Sequence, residues 1–295
     1  MRHTVVLGPA VSGSWYPRDR EELAGLVDGL LESAAARAEA AAAPGSVAAL
    51  IVPHAGFVYS GAVAASAFVK LRGRAFDRIV LLGPSHYFGF HGAAIPDAAT
   101  AYRTPLGDLP IDREAVLALR EAAVFRADDR MFEPEHALEA ELPFLQRVLA
   151  AAVPIVPVLL GGRATHEDAR RVADALAPFL GASSLLVVSS DFTHFGPRFG
   201  YVPFDDDVSA RLRELDLGAV AAIEAGDSAA FARYVTATGA TICGHRAIDV
   251  LLLLPGAAAG AKLVEYDTSG RMTGTWDHSV SYAAIAVPAT GRAAR

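Results

Sequence analysis

Beyond Asp19 the chain changes from one spacing of apolar residues to another. In "DREELAGLVDGLLESAAARAEA", Leu23, Leu26, Val27, Leu30 and Leu31 recur at i, i+3, i+4, i+7 and i+8, the rhythm of a helix with one buried face. Asp19 is placed to cap it, with Glu22 three residues on. The Ala-rich continuation "AAARAEAAAAPGS" reads as helix tail and loop, running out at Pro44-Gly45. The runs "VAALIVPH", "RIVLLGPSH" and "SLLVVSSDFTH" then show aliphatic and β-branched residues without polar alternation, bounded by Gly, Pro or Ser. That pattern predicts strands buried on both faces. Between them lie helical patterns such as "GAVAASAFVKL" and "EDARRVADALAPFL".

Strands alternating with helices predict an α/β protein with a largely parallel central sheet and helices on both faces. "PIVPVLLGG" adds a strand that only builds the sheet, and "AKLVEYDTSG" and "HSVSYAAIAV" add two more, separated by the turn-rich "SGRMTGTWD". No internal repeat, long linker or low-complexity arm interrupts the pattern, so residues 1–295 read as one domain.

Composition narrows the class. With 53% hydrophobic and 20% charged residues the chain suits a well-packed globular protein, and a formal charge of −7 with no basic stripe argues against nucleic-acid binding. The longest apolar run, "VLAAAVPIVPVLLGG", is broken by Pro154 and Pro157 and is shorter than the roughly 18 uncharged residues of a membrane span. The N-terminus shows no convincing signal-cleavage region, and a lone cysteine excludes an intramolecular disulfide framework. A soluble, cytoplasmic protein is the expectation.

The chemistry gathers at strand ends. His54, His86 and the pair Asp191 and His194 each follow a predicted strand, and in parallel sheets ligands collect beyond the carboxyl ends. Each histidine alone reads as well as a hydrogen-bonded structural residue. Three on separate strand ends also suit a metal site, since neutral imidazole is the commonest metal ligand. Asp191 and His194 fit an acid–base pair, or equally a turn-forming Asp beside a packed His. "EPEHALEAELPFLQRVL" reads as a helix with a stripe of Leu138, Leu142, Leu145 and Leu149, kinked at Pro143. Glu135 and Glu139 then need no role beyond solvated charges near a helix start, whereas His136 between them invites one. "TICGHRAIDVLLLL" reads as a turn entering a helix that buries Ile248, Leu251 and Leu252. Cys243 there is a buried inert residue, a nucleophile working with a histidine, or a thiolate favoured by the helix dipole. Its Cys-X-X-Arg spacing is too short for a cysteine phosphatase loop.

Taken in order, "GSWYP", "PHAGF", "GPSH", "YRTPLGDLPID", "EHALEAELPF", "SSDFTHFG", "TICGHRAI" and "SVSYAA" resemble the Memo (mediator of cell motility) family. Its bacterial and archaeal members are called AmmeMemoRadiSam system protein B. The motifs run from about residue 11 to 287, nearly the whole chain. The resemblance implies the fold of class III (LigB-like) extradiol dioxygenases. It also implies metal ligands at His54, His86 and Cys243, an acid–base histidine at His194 oriented by Asp191, and His136 lining the pocket. The dioxygenases complete their site with a carboxylate where this chain offers a thiol, which widens the implied metal from Fe(II) to Cu or Zn. Animal Memo proteins carry a second His where this chain has Tyr87.

The implied activity is a non-heme, dioxygenase-like oxidoreductase acting on a small molecule. The alternative is a non-catalytic adaptor. Animal members are described as adaptors linked to phosphotyrosine receptors, and the prokaryotic name implies radical-SAM and AMMECR-type partners. Trp15, Tyr16 and the aromatics of "HYFGF" would then line a binding groove.

Overall fold

The computed structural model describes residues 5–39 and 46–289. In chain order the strands are β1 (Val5–Leu7), β2 (Val47–Val52), β3 (Arg78–Pro84), β4 (Ala93–Ile95), β5 (Ala99–Thr104) and β6 (Gly107–Pro110). They continue as β7 (Phe125–Ala127), β8 (Ile155–Leu160), β9 (Ser184–Ser189), β10 (His194–Phe195), β11 (Lys262–Thr268) and β12 (Ser279–Pro288). The helices are α1 (Arg20–Glu39), α2 (Phe57–Phe68), α3 (Arg113–Leu119), α4 (Leu142–Val148) and α5 (His166–Leu176). The remaining helices are α6 (Val208–Glu224), α7 (Ser228–Thr238), α8 (His245–Leu253) and α9 (Ser269–Thr273).

The main sheet runs β10-β12-β2-β9-β3-β8-β4-β7, with β11 also on β12. Its centre, β2-β9-β3-β8, is parallel, and these strands are buried nearly throughout, as the apolar runs require. The flanks are antiparallel where β12 meets β2 and β4 meets β8. The expected parallel sheet is thus its centre, with β11 and β12 returning antiparallel at one edge and β4 turning antiparallel to β8 at the other. A separate small sheet, β1-β5-β6, was not evident from the periodicity.

Helices flank the sheet in two groups. α1, α2 and α4 pack together, with α2 against β2, β11 and β12, while α5 and α8 pair, with α8 against β3 and β9. Asp19 caps α1 as expected, its Oδ1 accepting from the backbone N–H groups of Glu21 and Glu22. Leu23, Val27 and Leu31 are buried on it, while Leu26 is exposed. The reading of a helix tail ending at Pro44-Gly45 lies outside the described residues.

The segment read as one kinked helix is built differently. Glu135 and His136 lie in a loop, a single 3₁₀ turn spans Glu139–Glu141, and α4 begins at Leu142 with Pro143 in its first turn. Pro143 does not kink a helix; it starts one, where its missing N–H has no bond to lose.

The strand order explains why distant residues meet. β9 lies between β2 and β3, with Val52 opposite Ser189 and Leu82 opposite Val188, so the loops carrying His54, Asp191 and His86 leave the sheet side by side. β12 extends past the end of β2 and pairs with β10, matching His194 with Val280 at that same end.

Candidate metal centre

His54, His86 and His136 each offer a ring nitrogen within 4.8 Å of the others, a grouping able to hold a metal ion. The His86 and His136 rings stack at 4.5 Å, and Trp15 lies against His136 at 4.3 Å. Cys243, expected as the third ligand, is not part of this three-imidazole group; it lies at the His54 edge, its Sγ 3.3 Å from Nε2 of His54. It reaches that position because Gly244 packs directly on the end of β9: a Cβ there would meet Ser190 Cβ at 2.5 Å and the Ser189 carbonyl oxygen at 2.7 Å.

Second contacts fix the imidazoles. Nδ1 of His54 lies 2.7 Å from Ser189 Oγ, and Nδ1 of His86 lies 2.8 Å from Oε1 of Glu135. When these Nδ1–H groups donate outward, the Nε2 lone pairs face inward, as metal-bound histidines require. Glu135 also accepts the backbone N–H groups of His86, His136 and Ala137. The sequence reading of Glu135 and Glu139 as solvated charges is thus corrected: both are buried and fully engaged. Glu139 accepts from the N–H groups of Ala10 and Val11 and from the Tyr16 hydroxyl, pinning the segment that lays Trp15 over His136.

Burial holds His54 neutral, and it pushes the His136 pKa down to about 4, helped by His86. His136 Nδ1 is buried without a hydrogen-bond partner, 3.6 Å from Glu135. Burial raises the Cys243 thiol well above its ordinary range, and the charge of Asp191 raises it further. Burial and Asp191 thus act against the lowering expected from the α8 dipole, although Cys243 is only half-buried and faces a cleft.

Asp191 and His194 lie beside this cluster in separate roles. Asp191 Oδ1 accepts the His54 backbone N–H, and its own N–H donates to Cys243 Sγ at 3.2 Å. His194 is held by Thr241 rather than by Asp191: its backbone N–H donates to Thr241 Oγ1, and Nδ1 lies 3.1 Å from the Thr241 carbonyl oxygen. That bond leaves Nε2 of His194 free to accept a proton.

The Memo-like protein family profile matches residues 8–286. The chain belongs to the Memo family. It is 34% identical to the memo-1 homolog of Caenorhabditis elegans over 286 residues, 92% of this chain and 79% of that protein. Protein MEMO1 of Homo sapiens is 31% identical over 290 residues, covering 94% of this chain and 95% of that protein. Among solved structures, uncharacterized protein JW3007 of Escherichia coli K12 aligns with a TM-score of 0.52 at 14% identity, over 82% of this chain and 99% of that one. Identity that low shows a shared fold alone.

In this Memo-family chain the residues present fit a metal. The separation of 3.3 Å between His54 Nε2 and Cys243 Sγ is spanned by metal bonds of about 2.1 Å to nitrogen and 2.3 Å to sulfur. Reading the sequence missed Glu135, Ser189 and Thr241, the partners that orient the histidines. A cleft of about 300 Å³ reaches the cluster between Pro84–His86, Leu160–Gly162 and Cys243–Ala247, beyond the ends of β3 and β8. The end of β8 at Leu160 and the two glycines that follow it, Gly161 and Gly162, therefore form part of the site's wall. Tyr16 is buried and cannot line a groove, whereas Tyr87 and Phe88 are exposed. Among the described residues no helix is long and apolar enough to cross a membrane.

Proposed function

We propose that this protein is a non-heme metal-dependent oxidoreductase in which His54, His86 and Cys243 hold one metal ion, with His136 as a further imidazole at the same site. The observation that carries this reading is the His54–Cys243 contact, with both histidines anchored through Nδ1 by Ser189 and Glu135. Fe(II) leads the candidates for the metal, with Cu or Zn next, and a bound redox metal would supply substrate polarisation and electron transfer.

The chain's own residues divide the remaining work. The cleft bounded by Ser85, Gly161, Gly162 and His245 gives a small substrate access beside His86 and Cys243. His194, with Nδ1 held by the Thr241 carbonyl, accepts a substrate hydroxyl proton at Nε2. Asp191 holds the His54 backbone and the Cys243 sulfur in register, and Trp15 covers His136 from water. Oxygen uptake by Fe(II)-loaded protein across catechols and other phenols tests the reading. Uptake lost in His194→Gln with metal retained supports it, whereas no uptake by a fully loaded site overturns the phenol-oxidising form.

A second reading rests on the exposed Tyr87 and Phe88 beside His86, 56% and 37% accessible. They suit an adaptor surface for a radical-SAM or AMMECR-type partner. Capture of such a partner, undiminished by His54→Ala, would favour that reading.

A further inference from the structure

One buried carboxyl group lies on the Nδ1 side of His54 with no part in holding His86 or His136. Glu141 is 0% exposed. Its one hydrogen bond among the described residues joins Oε1 to Ser189 Oγ at 2.7 Å, and Oε2 has no partner. An ionised carboxylate so enclosed would keep one bare oxygen away from water, which buried charge does not tolerate.

Counting protons at Ser189 leads to the same place. Its Oγ lies 2.6 Å from the Ala137 carbonyl oxygen, 2.7 Å from His54 Nδ1 and 2.7 Å from Glu141 Oε1. A hydroxyl has one proton to give and two lone pairs to receive with. The Ala137 carbonyl only accepts, so it takes the Ser189 proton. Both other neighbours must then donate: His54 through Nδ1–H, and Glu141 through a carboxylic acid O–H. If Glu141 were ionised, it and Ala137 would compete for one proton, leaving two acceptors in bare contact.

We infer that Glu141 is a neutral carboxylic acid whose O–H donates to Ser189, and that it is thereby a positioning residue for His54, holding the Nδ1–H form and keeping the Nε2 lone pair turned to Cys243 and a metal. This rests on the reading of His54 as a ligand. Burial, and then the charge of Asp191, favour the protonated acid in the same direction. Burial raises Asp191 too, but the charge of His194 and the His54 backbone N–H oppose that at Asp191, and Glu141 accepts no backbone N–H.

The test combines infrared and nitrogen spectroscopy of metal-free protein with Fe(II) titration. At neutral pH the wild type shows a protonated-carboxyl stretch that disappears in Glu141→Gln, and His54 carries its proton on Nδ1. Glu141→Gln, whose amide still donates to Ser189, keeps Fe(II) affinity within a few-fold, while Glu141→Leu loses about 10–100-fold, the usual effect of removing an outer partner of a ligand. Absence of that acid band, a His54 protonated at Nε2, or equal losses in the Gln and Leu variants overturns the assignment. If Glu141→Leu does not fold, the wild-type spectra and Glu141→Gln decide alone. A wild type that takes up no metal overturns the metal reading, and with it the purpose given to the His54 tautomer. A missing acid band in a protein that loads fully overturns the role of Glu141 only.

Discussion

Replacing Glu135 with Gln probes the support of His86 with almost no change of shape. Oε1 accepts from His86 Nδ1 at 2.8 Å and from the N–H groups of His136 and Ala137 at 3.0 Å each, while Oε2 accepts the His86 N–H at 2.6 Å. An amide can turn its carbonyl to one side only. In the better orientation its NH₂ faces the His86 N–H, donor against donor, so at least one hydrogen bond to a charged group is lost, about 1.5–3 kcal/mol. At roughly 2–4 °C per kcal/mol for a chain of this size, the melting temperature falls by about 3–12 °C. Fe(II) affinity falls about 10–100-fold, because His86 loses the partner that fixes its tautomer. Acid weakens the effect. Burial alone would raise the Glu135 pKa, but the hydrogen bonds and charge of His86 outweigh it and hold the carboxyl below its ordinary value. A depressed native pKa contributes stability that is fully present above the unfolded value, about 4.3, and is lost as pH falls through the native one. Thermal melts of both proteins between pH 7 and 3, with metal titrations at pH 7, make the comparison. A variant that melts and binds as wild type does, or a gap that widens in acid, would show that the Glu135 carboxylate does not support His86.

Gly244→Ala drives a Cβ into Ser190 and the Ser189 carbonyl, so it destabilises by about 1–3 kcal/mol and weakens metal binding by displacing Cys243; denaturation and metal titration check both. Pro143→Ala changes stability by less than about 1 kcal/mol in chemical denaturation, because Pro143 opens α4 rather than interrupting it. Tyr16→Phe leaves Glu139 without its hydroxyl donor and costs about 1–3 kcal/mol by urea denaturation.

The fold was legible where period and burial agree. Runs such as "RIVLLGPSH" are apolar on both faces and read as central strands, so His54, His86 and Asp191 were placed past strand ends, whereas His194 opens the short strand β10. The antiparallel flank was less legible, since β11 and β12 read as strands whose direction nothing local sets. "EPEHALEAELPF" misled for a physical reason: Leu138, Leu142 and Leu145 keep helical spacing, but the carboxylates of Glu135 and Glu139 bond to residues 49 and 123 positions away and hold the loop open. Ser189 and Glu141 carried no sequence signal of their roles, because their partners meet only when β9 packs beside β2 and Glu141 is brought beneath it.

A metal site containing the Cys243 sulfur is directly visible to X-ray absorption of the anaerobically purified, metal-loaded protein. The expected result is near-stoichiometric metal with one sulfur neighbour at about 2.3 Å and imidazole nitrogens completing the shell, the sulfur lost in Cys243→Ser and the metal in His86→Ala. A loaded site without sulfur, or a wild type that refuses Fe(II), Cu and Zn alike, would contradict it.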